Sequence, residues 1–347
     1  AVAGAGVALR VGGGGETTNA GENQVLFPGL ASETAQLTHL HVKTPAYELQ
    51  MEQHDGNWVA ADRGNYPLRA ATVANVLTGL GELRKVEPKT TNPDLYARIG
   101  VEDPSAKGAG SSLVGLEQAS GSLGELIIGK RAESIGFDPL GGTFVRRPGD
   151  AQSWLAQGSP TIPSELLGWF DELPAFSSVD VSHLTVSEGG KTVFDAVKDG
   201  DTYKPAPAAT DGAAPVTTQV NDAATKRLAQ VVSTGSFDDV GPADKVSFAD
   251  NARKVHFELA NGATVDITIG TRDGKPWVRY QPSATPTSSA AAPVKAFGDR
   301  GKTYAFALPD YQMSALALGI DQLTAPASEA NTSNLPTPPS VVKQTTP

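Results

Sequence analysis

An α+β fold made of two tandem repeats is what this sequence predicts. Each repeat reads as a mixed β-hairpin and helix unit, an antiparallel sheet with packed helices. Three observations predict it. The stretch LEQASGSLGELIIG, residues 116–129, returns without a gap 141 positions later as FELANGATVDITIG, residues 257–270. Glu117, Ala119, Gly121, Ile128 and Gly129 reappear as Glu258, Ala260, Gly262, Ile269 and Gly270. Upstream, His183-Leu184-Thr185-Val186 answers His39-Leu40-His41-Val42 at an offset of 144, and Asp199-Gly200 answers Asp55-Gly56 at the same offset. Finally, 347 residues are enough for two cores, and five kinds of element follow one another in the same order twice.

Taken in order, residues 1–36 read as an apolar remnant and a flexible Gly-rich linker. Nine small apolar residues precede Arg10, too few for a membrane span of about 20 residues. They are expected to be the outer end of an anchor helix whose first part is missing. The first repeat is predicted over 37–180. It opens with strands at 37–43, 46–53 and 57–61, with turns at Thr44-Pro45 and Asp55-Gly56. Leu40 and Val42 point to one face of the first strand, and His39, His41 and Lys43 to the other. Tyr66-Pro67 is expected to start a helix with Val73, Val76, Leu77, Leu80 and Leu83 on one stripe. A loop over 87–112 leads to the hairpin of 116–129, a strand at 143–147, and a helix in PSELLGWFDELP that places Leu166, Leu167, Phe170 and Leu173 together.

The second repeat is predicted over 181–323. Asn221 caps its helix and Gly235 stops it. Its Asn261-Gly262 is a strong hairpin signal, with both turn residues expected at positive φ. PWVRYQP answers TFVRRP, and MSALALGIDQL answers LLGWFDEL. Ala/Pro/Thr-rich insertions at 204–219 and 282–293 are expected to stay out of the core, and 324–347 reads as a disordered Pro/Thr-rich tail.

Composition narrows the function. A formal charge of -10 argues against nucleic acid, whose phosphates require clustered Lys and Arg. The absence of cysteine removes disulfides, thiolate metal sites and a cysteine nucleophile. Of the five histidines, His39 and His41 share a strand face and offer two metal ligands. No third ligand has a familiar spacing unless His54 folds back, so the solvent face of a half-buried strand is the better reading, and His183 repeats it. Gly190-Lys191-Thr192 and Gly301-Lys302-Thr303 end like phosphate loops, but Thr185 and Ala296 stand where the first glycine is required, so strand turns are expected there. Ser340-Val341-Val342-Lys343 matches SxxK only within the tail. Asp171-Glu172 beside Trp169 is no glycosidase pair, because neighbours on a helix point about 100° apart. Trp58, Trp154, Trp169 and Trp277 with Tyr66, Tyr96 and Tyr304 are expected mainly as core, with loop aromatics such as Tyr96 left as a partner surface. The reading predicts no catalytic, cofactor or metal residues, hence no enzyme and no cofactor.

Asp55-Gly56 with Trp58, Tyr66-Pro67, Tyr96 with Ile99-Gly100-Val101 and Asp103-Pro104, Ile128-Gly129 and Phe144-Val145-Arg146 together resemble the family called domain of unknown function 4340. The resemblance covers most of the stretch from His39 to Leu323 and is closer in the first half. Leu68-Arg69 departs from it, since relatives often carry a small residue and an acid there. The resemblance implies a bacterial protein with one amino-terminal membrane helix and a large extracytoplasmic part, standing beside a gliding-type ABC-2 transporter. The expected function is that of a non-enzymatic auxiliary subunit anchored in the inner membrane and facing the periplasm. Its expected partners are a permease or ATPase and an associated periplasmic subunit, and it acts through protein–protein contacts. The alternative is an exported module that binds cell-wall material or another polysaccharide.

Overall fold

Period-two alternation carries into structure over His39–Lys43 of β1 (Leu37–Lys43), where Leu40 and Val42 are buried and His39 is exposed; Leu37 is buried as well, one register slip upstream. The structure is a computed structural model, and it describes residues 23–132, 141–208 and 214–324. The apolar start, the Gly12–Gly15 run, the SxxK match and the tail from 325 lie outside the described residues. The chain is mixed α+β and divides into two compact units, residues 1–171 and 172–347.

In the first unit, α1 (Leu30–Glu33) precedes β1, and β2 (Glu48–His54), β3 (Asn57–Ala60) and β4 (Tyr66–Pro67) follow it. Next come α2 (Ala70–Gly81), β5 (Arg84–Pro88), α3 (Tyr96–Ile99), β6 (Ser112–Gln118), β7 (Gly121–Ala132), β8 (Gly142–Arg146) and β9 (Ser153–Gln157). They form a nine-stranded antiparallel sheet in the order β4-β3-β2-β1-β6-β7-β8-β9-β5.

The second unit begins with β10 (Val181–Glu188), β11 (Lys191–Asp199), β12 (Thr202–Pro205), α4 (Asp222–Ala229) and β13 (Asp239–Pro242). It continues with β14 (Lys254–Leu259), β15 (Ala263–Arg272), β16 (Lys275–Ala284), α5 (Ala291–Phe297), α6 (Arg300–Thr303), β17 (Tyr304–Ala307), α7 (Asp310–Leu316) and α8 (Ile320–Thr324). Its eight-stranded antiparallel sheet runs β12-β11-β10-β14-β15-β16-β17-β13. In each sheet the strand after the unit's first long helix lies at the far edge. Each unit's first strand also pairs with the strand that opens the recurring hairpin, His39 opposite Glu117 and His183 opposite Glu258. The register slips at the same place in both pairs, between Leu37 and His39 and between Val181 and His183.

Several expectations change. Tyr66-Pro67 is not a helix start but the edge strand β4, where a residue without an N–H is tolerated. Tyr66 is fully buried there, with its ring edge-on to Phe170 at 5.3 Å, and α2 begins only at Ala70. The expected loop over 87–112 starts with β5 and contains α3. PSELLGWFDELP forms only a 3-10 turn, Leu166–Trp169; Gly168 packs on the Pro163 ring, which a Cβ would approach to 2.7 Å, and Pro174 lacks the N–H that a continuing helix needs. Asn261-Gly262 does not form a turn with both residues at positive φ. Among the described residues Gly262 has φ 80° and Asn261 is not left-handed, and the Gly262 N–H donates to the Leu259 carbonyl at 2.9 Å. The turn is thus Leu259–Gly262, closed by that bond and ending on the glycine at positive φ. Asp55-Gly56, with φ of 50° and 80°, is the tight two-residue turn instead.

Asn221 does cap α4, its side chain accepting from Ala224 N at 3.2 Å. Gly235 is needed for contact rather than for ending the helix: its carbonyl accepts from Leu173 N, and any Cβ would meet the Leu173 backbone. The Pro-rich insertions are partly ordered. Pro282–Ala284 extend β16, α5 begins within the second insertion, and buried Thr217 accepts from Asp195 N at 2.7 Å. Gly301-Lys302-Thr303 belongs to α6 rather than to a strand turn, whereas Gly190 lies in the Gly189-Gly190 turn between β10 and β11, and Lys191 and Thr192 begin β11.

Both cores are aromatic-rich. Trp169, Tyr66 and Phe170 centre the first; Phe194, Phe257, Phe306 and Tyr280 centre the second. Phe237 meets Phe306 at 5.3 Å and Tyr280 meets Phe297 at 6.3 Å, both edge-on.

Candidate functional site

Each sheet presents charged residues on the face opposite its core, and all five histidines stand there beside carboxylates. In the second unit they form a continuous chain across four adjacent strands, β11, β10, β14 and β15. Asp195 Oδ1 on β11 lies 2.6 Å from His183 Nε2 on β10. His183 Nδ1 lies 3.4 Å from Glu258 Oε1 on β14, and the same oxygen lies 3.5 Å from His256 Nε2. His256 Nδ1 completes the chain with Asp266 Oδ1 on β15 at 2.8 Å. The hydrogen bond to Asp266 raises the His256 pKa against the opposing effect of partial burial.

The first unit has a looser version. His39 faces Glu52 at 3.5 Å and Glu117 at 3.8 Å, and His41 Nε2 meets Glu48 at 3.0 Å. His54 reaches Glu52 at 3.2 Å, so it approaches a carboxylate shared with His39. His39, His41, Gln50, Glu117 and Glu125 line a depression of about 560 Å³. No three His, Asp or Glu side chains among the described residues are arranged to hold a metal ion. Exposed pairs of this kind contribute about 0–1 kcal/mol each. One fully buried Leu or Phe contributes about 1.5–3 kcal/mol, so the cores, not these chains, hold the sheets together.

At its other end, the outer face of each sheet is covered by a small apolar cluster. Tyr96, Val101 and Ile127 form it in the first unit; Ala243, Val246, Trp277 and Ala305 form it in the second. The covering segment sits directly on the sheet at Gly129 and Gly270. A Cβ at Gly129 would lie 2.6 Å from the Ile99 carbonyl, and one at Gly270 would lie 2.7 Å from the Ser247 carbonyl. One arginine per unit stacks on the covering aromatic ring, Arg146 over Tyr96 at 4.5 Å and Arg279 over Phe248 at 4.4 Å. Tyr96 is therefore not a loop aromatic open to a partner: it is buried, and its hydroxyl donates to the Ala151 carbonyl at 2.5 Å.

Beside the second cluster lies a groove of about 610 Å³. Its floor includes Trp277, Leu308 and Met313, and carboxylates of Asp238, Asp239, Asp273 and Asp310 surround it. Arg272 lies over the Trp277 ring at 5.0 Å, with Nε 3.6 Å from Asp273.

The remaining aromatics anchor the fold. Trp169 is fully buried and donates from Nε1 to the Tyr47 hydroxyl at 2.7 Å, which in turn donates to the Pro163 carbonyl at 2.6 Å. Burial pushes the Tyr47 pKa up to about 12 despite the Trp169 hydrogen bond. Trp154 lies under the Lys85 ammonium at 4.8 Å, and Trp58 is half-buried on β3. Asp171 and Glu172 are both exposed, and Asp171 accepts from Arg69 Nε at 3.2 Å.

Sequence reasoning found the histidines but not their partners. Glu117 and Glu258 were visible as a recurring pair. Asp195 was not, because the register of β10 and β11 shifts between Val186 and Ser187. The groove had one signal, the Asp273-Gly274 turn, but its walls come from segments about 70 residues apart in the chain, from Asp239 to Asp310.

The fold and its outer faces define an α+β protein with two antiparallel sheets, each carrying a charged outer face. The family model for the domain of unknown function DUF4340 matches residues 58–254, more than half of the chain, from β3 in the first unit to the start of β14 in the second. The chain belongs to this family. No curated protein and no solved structure matches it. Among the described residues no helix is long and apolar enough to cross a membrane.

Proposed function

We propose that this chain is a non-enzymatic, extracytoplasmic auxiliary subunit of an ABC-type transport complex, and that its two units are copies of one fold. The observation that carries the reading is the shared strand order of the two sheets, with its matched register slips and matched glycine contacts at Gly129 and Gly270. A doubled sheet offers two similar outer faces to partner proteins. The large aromatic side chains support a scaffold rather than a reaction centre. Tyr47, Tyr96, Tyr203 and Tyr280 each donate their hydroxyl to a backbone carbonyl, at 2.5 to 2.9 Å. In this proposal an amino-terminal helix holds the protein to the inner membrane with both units in the periplasm, beside a permease, an ATPase and an associated periplasmic subunit.

Affinity purification of the tagged full-length protein from detergent-solubilised membranes tests the reading. A co-purifying permease or ATPase supports it. A solitary protein, or one retained instead on isolated cell-wall material, overturns it, and the second result favours the polysaccharide-binding alternative.

A further inference from the structure

We propose that the groove beside Trp277 receives a basic, extended segment of a partner protein, with a Lys or Arg side chain lying along its floor. This rests on the protein-contact reading above and names the chemistry of one such contact. The walls come from three separate parts of the second unit. Asp238 and Asp239 enter at β13, Asp273 stands at the β15–β16 turn, and Asp310 opens α7. Asp238, Asp273 and Asp310 are exposed, so their charges face the solvent from which a ligand arrives. Beneath them the floor is apolar: Trp277, Leu308 and Met313 are buried.

Two cations share the rim, Arg272 and Lys275. Arg272 is already committed, its guanidinium resting on the Trp277 ring and its Nε turned toward Asp273. Against these two cations the lining carries four carboxylates, and that formal excess of negative charge repels phosphates and free carboxylates and attracts ammonium or guanidinium groups. An apolar floor under a carboxylate rim matches a side chain that buries a methylene stem and keeps a charged head at the surface. The groove's volume lies within the range of sites that bury a small ligand, about 300–1,000 Å³. Asp239 begins β13, and the lining also takes in Ala307 of β17, Trp277 of β16 and Arg272 of β15, so the groove crosses one end of four adjacent strands and is long enough for an extended segment. A bare metal ion suits the groove poorly, since no three carboxylates among the described residues converge on one point.

The test uses the purified full chain and two fluorescein-labelled short peptides, one alternating Lys and Thr, the other alternating Glu and Thr. Fluorescence polarisation reads affinity, and the Trp277 indole resonance reads location. The Lys peptide is expected to bind saturably and shift that resonance. Asp273→Asn with Asp310→Asn is expected to weaken it about tenfold, as for the loss of facing charges in an interface. Asp201→Asn with Asp250→Asn removes the same formal charge from exposed sites elsewhere in the second unit and is expected to leave affinity within about twofold. Non-saturable binding, equal affinity for the Glu peptide, or an equal loss in both double variants overturns the proposal. If these peptides fail while a transporter subunit still co-purifies, the groove assignment alone falls. If they bind and no subunit co-purifies, the transport reading falls and the groove stands.

Discussion

The two sheets share a strand order, yet their outer faces are organised differently. In the second unit the imidazoles and carboxylates join into one line, Asp195, His183, Glu258, His256 and Asp266, with each link at 3.5 Å or less. In the first unit the equivalent of His256 is Gly115, and the groups split into His39 with Glu52 and Glu117, and His41 with Glu48. The covered end of each face, by contrast, shares a close-packed glycine and a stacked arginine, although Arg146 Nε donates to the Val101 carbonyl and the buried Arg279 Nε makes no such bond. The comparison teaches that the covering segment, the glycine beneath it and the stacked arginine belong to the architecture, whereas the charged end is free to differ between units.

The largest expected effect tests the shared part. Gly129→Ala and Gly270→Ala each force a methyl group into a carbonyl of the covering segment, at 2.6 and 2.7 Å. Overpacking of this kind costs about 1–3 kcal/mol, and backbone on the opposing side places both variants at the upper end. Hydrogen exchange read by mass spectrometry is expected to show a loss confined to the unit that carries the substitution and similar in size for the two. A large loss at one glycine and none at the other breaks the correspondence.

Next in size are the buried tyrosines. Tyr47→Phe strands two groups, the Trp169 Nε1–H and the Pro163 carbonyl, whereas Tyr280→Phe strands only the Pro174 carbonyl. Each unsatisfied buried group costs about 1–3 kcal/mol, so urea melts should place Tyr47→Phe clearly below Tyr280→Phe. The reverse order would show that the Trp169 network contributes little. Tyr280 also marks a second correspondence. Its hydroxyl ties the segment leading into the second unit, as Arg147 Nη2 ties the lead of the first by donating to the Leu26 carbonyl at 2.5 Å. Arg147→Ala is therefore expected to speed exchange in the amides of residues 23–27.

The helices sharpen the comparison further. Asn221 caps α4 through its side chain, but Arg69, at the same position on α2, makes no such bond and instead donates to the Phe170 carbonyl and Asp171. Asn221→Ala should cost the second unit about 1 kcal/mol. Exchange that quickens in the first turn of α4 checks it.

The sequence made the strands and the recurring hairpin legible because alternation and turn residues are local signals. β1 and β3 stand essentially where alternation puts them, and α2 buries Val73, Val76, Leu77 and Leu80 as its spacing requires. What stayed hidden depends on tertiary contact. Arg84–Pro88 carries too few apolar residues to look like a strand, yet pairs with β9 as an edge. The segment 163–174 has helical spacing but is pinned by prolines at both ends. The carboxylate partners of the histidines were obscured by register shifts, and the groove by its dispersed walls.

The smallest expected effect concerns the charged line, and it carries a sign. The His256 pKa is raised in the folded protein, chiefly by its hydrogen bond to Asp266, so protonation and folding favour each other. That contribution is fully present below the unfolded imidazole value of about 6.5 and is lost as the pH rises through the higher folded value. His256 is faced from the neighbouring strands by His183 on β10, which shares Glu258 with it, and by Asp266 on β15, with Glu258 and Lys254 on its own strand; Asp195, one strand further on, reaches His183 only. Raising the pH leaves three carboxylates in the line with the compensating imidazolium charge gone. The second unit is therefore expected to lose stability as the pH climbs above the unfolded imidazole value and through the raised folded one. His256→Gln should flatten that slope without lowering stability at the alkaline end. Unit-resolved exchange at several pH values reads both, and an unchanged slope in the variant would assign the dependence to another group.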